Sequence, residues 1–349
     1  MIRTSGLVVL LTIILALSAG LSRHPASGQS PVALAALRHP DDAHLRLQWL
    51  GVSTWIMSRG EDVVVVDPFF TRPSMWQIAG SIFGGGFQPD VARIKAVLPT
   101  LPETTRFLLI GHAHYDHLMD VGYYLRTAPT QPLYVGSRTA HNILKGWAPP
   151  KLDFVIADDP ARLGRPIRAG QVVVTPFLSS HAPHVFGLTL MDGEVLEPRT
   201  SPPSDAWEYK LGQTLMFVID FLGEQDQIVT RLFINGAASD PGVMTAIPEA
   251  FLSRHPIDVA ILCVPGWDKV ADYPMSVLDR LQPKQVILSH YDDFFQPYVN
   301  GEDPHQGMRI VPFAHYEGFV ERLTAYYRRR ATAPPVIEPK TGDIVCVDC

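Results

Sequence analysis

From Leu108 to Asp120 the chain reads LLIGHAHYDHLMD, an apolar run that ends in His112, His114, Asp116 and His117. Histidine is scarce, 13 in 349 residues, so composition does not account for the cluster. The spacing constrains what can form there. In an extended segment, residues two apart point to the same side, so His112 and His114 face one point in space. A turn into helix at Tyr115–Asp116 would bring Asp116 and His117 into the same cavity from another direction. Three imidazoles and a carboxylate converging at a strand end are donors suited to a divalent cation such as zinc. A solvated His-rich turn would not need to follow so directly on an apolar strand.

The rest of the chain supplies strands and helices in an order that fits layered α/β structure. LRLQWLGVSTWIMS (Leu45–Ser58) reads as paired strands around a glycine, and DVVVVDPFF (Asp62–Phe70) as a buried strand stopped by Asp67 and Pro68. PLYVGSRTAHNILKG reads as strand then helix, with Ser137 as N-cap. LDFVIAD, QVVVTPFLSSH, QTLMFVIDF, VTRLFINGA, IDVAILCVPG and KQVILSHYDDF read as further strands. VMTAIPEAFLSRH and AHYEGFVERLTAYYRRR read as helices, and a Pro-rich tail is expected from Ala331 to Cys349. Glu194–Asp205 is polar and Pro-rich but lies between strands, so it reads as a long surface loop within one domain over 44–330.

At HAHYDH the chain resembles the H-x-H-x-D-H signature of the metallo-β-lactamase fold superfamily. The likeness extends to Asp67 after VVVV, to His181 in VTPFLSSH and to His290 in VILSHYDDF, and so covers roughly Leu45 to Ala325. GVSTWIM…VDPFF…GHAHYDHLMD is similar to the branch of ascorbate-phosphate lactonases and N-acyl-phosphatidylethanolamine phospholipases D. The resemblance implies a four-layer αββα sandwich with the metal site at one edge of the two sheets. It implies that His112, His114 and His181 hold one zinc ion, and that Asp116, His117 and His290 hold a second. A metal-bound hydroxide would then attack an ester, lactone or phosphodiester-type small-molecule substrate. Asp116 would orient or deprotonate the water, and Asp67 would orient a ligand imidazole as an outer carboxylate.

One feature departs from that pattern. The family's bridging aspartate, after a middle strand, falls here on Gly236 or Ala237 in INGAASD, and neither can ligate. Asp240 is the nearest carboxylate that a different loop path would bring in. One ion or two is therefore left open, and histidines with carboxylates serve manganese or iron as readily as zinc. His184 in HAPH competes with His181 as a ligand. Ser179 and Ser180 lack the G-x-S-x-G surroundings of a nucleophile. Two other functions stay in play: a degenerate, non-catalytic metal- or ligand-binding module, and an iron-dependent redox member of the same fold. Trp267, Phe294, Phe295 and Tyr298 are the aromatic residues expected near the pocket.

Hydrophobic residues at 46% and charged ones at 18% place the chain among globular proteins. A net charge of −6 without a basic stripe argues against nucleic acid as a partner. Arg3 precedes the apolar stretch Leu7–Leu21, which tapers into Ser, Ala and Gly, as a secretory signal does over residues 1–28. Residues 29–43 then form a link. A periplasmic or secreted protein is expected. The rival is an uncleaved anchor facing outside, since Thr4–Ser22 approaches the roughly 20 residues of a spanning helix. Membrane contact is expected only in that case, and oligomeric state is not readable. Among three cysteines, Cys263 reads as core, and Cys346 with Cys349 as a local disulfide or loose tail.

Overall fold

The structure, a computed structural model, describes residues 44–349 except 85, 150, 185, 298–307, 331 and 348. The expected signal or anchor (1–28), the link (29–43) and Tyr298 lie outside the described residues.

The first half of the chain builds β1 (Leu45–Trp49), β2 (Trp55–Arg59), β3 (Asp62–Val66), β4 (Thr105–Leu109), β5 (Leu133–Gly136) and β6 (Phe154–Ile156). The second builds β7 (Ile167–Ala169), β8 (Val172–Leu178), β9 (Leu215–Leu222), β10 (Ile228–Asn235), β11 (Val259–Cys263), β12 (Gln285–Ser289) and β13 (Val336–Ile337). The last strand, β14 (Ile344–Val347), returns to the first half. Two seven-stranded sheets result, ordered β14-β1-β2-β3-β4-β5-β6 and β13-β12-β11-β10-β9-β8-β7.

Strands β3, β9 and β11 are buried at every position. Such strands have both faces covered, which is why the sequence shows continuous apolar runs there and not alternation. The sheets cover each other's inner faces. Helices in the crossovers cover the outer ones, burying Ile94 and Val97, Leu118, Val121, Tyr124 and Leu125, and Ile143 and Leu144 in the first half. Val277, Leu278 and Leu281, then Phe319 and Leu323, do so in the second. This is the expected four-layer αββα arrangement.

Strands β3 to β6 run parallel, as do β10 to β13, and β8 is antiparallel to β9, which is antiparallel to β10. The carboxyl ends of β8, β10, β11 and β12 therefore share one edge of their sheet. Those of β3 and β4 meet them across the sandwich, where Gly111 O accepts from Leu215 N at 2.8 Å. Parallel sheets place their ligands beyond such strand ends.

Two expectations need correction. The segment from residue 331 onward is not a tail, because β13 pairs with β12 and β14 pairs with β1, and so they complete both sheets. Cys346 and Cys349 form a disulfide there. VMTAIPEAFLSRH is not one helix: a 3-10 turn spans Pro241–Ala246 and a short helix spans Glu249–Leu252. Pro248 has no N–H to donate and clashes with a preceding turn, so it separates the two.

Candidate metal centre

Strand β4 runs into His112 and His114 in extended backbone, and His114 is the N-cap of helix Tyr115–Leu118, with φ −60° and ψ 156°. That helix turns Asp116 and His117 inward in its first turn. Tyr115 anchors it in the core, edge-on to Phe69 and Phe87. At the helix end Asp120 is fully buried and accepts from Phe70 N at 2.5 Å, Thr71 N at 2.8 Å and Thr71 Oγ1. The carboxylate thus ties the loop after β3 to the metal-site helix. The sequence reading gave Asp120 no role; its place at the end of the histidine motif was the available signal.

Two triads of ligand-type side chains gather at the edge. His112, His114 and His181 form one, and Asp116, His117 and His290 the other, each with one ligand atom per residue and all three within 4.8 Å of one another. The rings of His112 and His117 are 3.8 Å apart, so the triads are neighbours. In the second triad His290 Nε2 lies 3.3 Å from His117 Nε2 and 3.5 Å from Asp116 Oδ2, and His117 Nε2 lies 3.6 Å from that oxygen. Donors arranged tetrahedrally at zinc-like bond lengths stand about 3.4 Å from one another. Both nitrogens of His112, Nε2 of His114 and Nδ1 of His290 are buried without a hydrogen-bond partner among the described residues. Unpaired buried groups of this kind cost about 1–3 kcal/mol each, which a bound cation would offset at the nitrogens facing it. The residues present fit a divalent metal.

Asp67 stands behind the second triad. Its Oδ2 accepts from His117 Nδ1 at 2.8 Å and its Oδ1 from Gly111 N at 2.8 Å. With Nδ1 bound to a carboxylate, His117 presents Nε2 to the cavity. Asp67 and His290 both have positive φ, 42° and 68°. Non-glycine residues there cost on the order of 1–3 kcal/mol, so the surroundings must hold them. For Asp67 those are its N–H to Leu109 O at 3.0 Å and Thr54 Oγ1 donating to its carbonyl at 2.8 Å.

Burial, reinforced by neighbouring imidazoles, pushes His112 and His114 well below the usual imidazole range, and His181 down to about 3. Neutral imidazole is the form that binds metal. At His117 burial works the same way, but Asp67 and Asp116 outweigh it and raise the ring. At Asp116 burial acts to raise the carboxyl, yet His117, His290 and His114 hold it well below the usual carboxylate range.

The structure answers the open points on the other residues. Asp240 is exposed and does not join either triad: its N–H donates to Ser180 Oγ at 2.8 Å, and Ser180 Oγ donates to its Oδ2 at 3.1 Å. Ser180 is thereby spoken for. Gly236 lies against the second triad, where a Cβ would stand 3.1 Å from Ser53 Oγ and 3.3 Å from both Asp67 Oδ2 and His117 Cε1. A side chain at that position would be tightly packed and would need those neighbours to shift by a few tenths of an ångström. Ala237 is buried and offers no donor atom. His184 stacks on His181 with centroids 4.8 Å apart and lies outside both triads. Phe294 packs edge-on to His290 at 5.3 Å and against Phe295 at 4.4 Å. Trp267 donates to the carbonyls of Ala314 and His315 and packs edge-on to Phe319.

No family model and no curated protein matches the sequence. Solved structures do resemble the fold. Igni18, a metallo hydrolase from the archaeon Ignicoccus hospitalis, is 16% identical over 88% of this chain and 99% of its own, with a TM-score of 0.47. Isothiocyanate hydrolase from Delia radicum gut bacteria is 13% identical over 86% of this chain and 98% of its own, at 0.48. CmlA, a diiron β-hydroxylase from Streptomyces venezuelae, is 12% identical over 97% of this chain and 59% of its own, at 0.47. Such distant likenesses leave substrate and metal to this chain's own residues.

Proposed function

We propose that the protein is a metal-dependent hydrolase that cleaves an ester, lactone or phosphodiester-type bond in a small molecule. The observation that carries this reading is the pair of adjoining triads, with donor atoms in each within 4.8 Å of one another. His112, His114 and His181 would hold one divalent ion, and Asp116, His117 and His290 another, a donor set that suits zinc and serves manganese or iron as well. A divalent ion held there polarises a carbonyl or phosphoryl oxygen and lowers the pKa of a water toward about 7. Asp116 would orient the attacking water or take its proton. Asp67 keeps His117 in the tautomer that faces the cavity. A binding module without catalysis would have little use for a carboxylate kept ionised beside three imidazoles.

The test is elemental analysis of the purified protein, paired with hydrolysis screens on lactones, phosphodiesters and β-lactams. We expect one or two divalent ions per chain and turnover in one of these classes. Asp116→Asn, compared at matched metal content, should lower turnover by about 10²–10⁴-fold. Metal uptake without hydrolysis in any class would favour the non-catalytic reading, and iron with oxygen consumption would favour redox chemistry.

We further propose that the chain is exported and loses its N-terminal segment, on the strength of Arg3 followed by the apolar stretch Leu7–Leu21. Intact-mass analysis should find protein lacking residues 1–20 or 1–28 in the periplasm or medium. Full-length chain confined to the membrane fraction would mean an anchor.

A further inference from the structure

His184 and His181 stack face to face, with rings 4.8 Å apart and an interplanar angle of 26°, yet their hydrogen bonds put their protons on different nitrogens. A neutral imidazole has one N–H and one lone pair. His181 Nδ1 lies 2.6 Å from the carbonyl oxygen of Ala182, which can only accept, so Nδ1 carries the proton and Nε2 keeps a lone pair for a metal. His184 Nδ1 accepts from the N–H of Leu190 at 3.0 Å, so Nδ1 offers the lone pair and Nε2 carries the proton. A nitrogen that holds a proton cannot ligate. The stacked pair is therefore one ligand and one donor.

The surroundings fix where that donor sits. His184 lies 5.5 Å from the His114 ring and 4.8 Å from the His181 ring, so it borders the first triad. A ring nitrogen that accepts from a backbone N–H holds no proton, so the His184 ring is neutral in this arrangement. Its backbone is pinned by His184 N to Leu188 O at 2.9 Å and by Lys269 Nζ donating to its carbonyl at 2.5 Å. The Leu190 bond occupies Nδ1 and leaves Nε2 as the ring's donor. We propose that His184 is a catalytic residue whose Nε2–H donates to the substrate's carbonyl or phosphoryl oxygen, where negative charge develops, and that it is not a metal ligand. The substrate role rests on the hydrolase reading above; the position of the proton does not. Preorganised donors aimed at a developing oxyanion stabilise the transition state.

The experiment uses the ¹⁵N-labelled full chain, metal-free and zinc-loaded, with long-range ¹H–¹⁵N correlation of the imidazoles. The His184 signals are identified by their loss in His184→Gln. The expected result is a proton on Nε2 of His184 in both states; a proton on Nδ1 with Nε2 shifted by zinc would overturn the proposal. Zinc stoichiometry gives a second readout. His184→Gln should keep the wild-type content and His181→Gln should lose an ion, and the reverse outcome would make His184 the ligand. Inorganic phosphate, titrated calorimetrically into zinc-loaded protein, serves as the oxyanion probe. It should bind about ten- to a hundredfold more weakly to His184→Ala, the loss expected for one hydrogen bond to a charged group, and His184→Gln should recover part of that. Unchanged phosphate affinity with zinc retained would overturn the donor role. Wild-type protein that takes up no divalent ion would defeat the hydrolase reading and the substrate role with it, while the spectrum would still locate the proton.

Discussion

Asp67 shows how much rests on one side chain. It joins β3, the glycine at the end of β4 and the His117 ring through bonds of 2.8 Å each, in a backbone conformation few aspartates adopt. Asp67→Asn keeps the shape but puts a neutral amide behind His117. Changes of that kind typically cost about 10–100-fold in metal affinity, and a chelator competition titration should show a loss in that range. On the proposed assignment His114→Ala removes a ligand atom itself and should abolish retention of at least one ion through gel filtration. Ser180→Ala touches only the Asp240 pair at the surface and should leave metal content as in wild type. Loss of turnover in the serine variant at unchanged metal content would revive a serine nucleophile. Gly236→Asp, designed to supply the absent bridge, should lower metal retention, because the new side chain crowds Ser53, Asp67 and His117.

Among the elements, the turns that meet behind the site are held by one buried ion pair. Arg72 Nη2 donates to Asp292 Oδ2, and Asp292 Oδ1 accepts from Val52 N at 2.6 Å. The loop after β3, the β1–β2 turn and the end of β12 beside His290 are locked together. Gly51, at φ +92°, packs so closely that any Cβ would run into the Arg72 guanidinium. Removing one partner of such a pair leaves a buried charge uncompensated, which costs about 3–5 kcal/mol. Arg72→Met should lose that much stability in urea unfolding. If it does not, Asp292 is protonated or hydrated in the variant and the pair is not what holds the turns.

For the whole molecule, the neutral imidazoles set how stability depends on pH. His112, His114 and His181 are lowered from the ordinary 6.5, His181 to about 3. Below about 6.5 the unfolded chain binds protons at these rings that the folded chain refuses until much lower pH. Stability rises with pH wherever the unfolded state binds more protons. The metal-free protein should therefore weaken as pH falls from 6.5 toward 3. His117, raised by Asp67 and Asp116, and Asp120, pushed up by burial to about 6, act in the opposite sense, while His184, lowered to about 4, joins the other three rings. A fall in Tm of roughly 5–10 °C between pH 7 and pH 5 is expected in chelator-treated protein. Zinc at about 100 times its Kd should add roughly 2.7 kcal/mol at neutral pH, and less in acid, where protons compete for the same nitrogens. A metal-free Tm that is flat over this range would mean the three rings are solvated.

What the sequence determined by itself was whatever local periodicity and strand ends dictate. Alternation places His112 beside His114, a helix start turns in Asp116 and His117, and the valine run of β3 stops at Asp67. His181 and His290 were legible because each follows an apolar strand. Other features depended on partners far along the chain. β13 and β14 are too short to stand out, and they become strands only because β12 and β1 offer edges to pair with. Which backbone atom meets each Nδ1, a carbonyl for His181 and an amide for His184, could not be read from HAPH itself. The bareness of Gly236 is explained only by Ser53, Asp67 and His117 closing in from the other sheet. Local sequence fixes direction and periodicity, but which donor meets which acceptor, and where a side chain has room, is set when the two sheets close on each other.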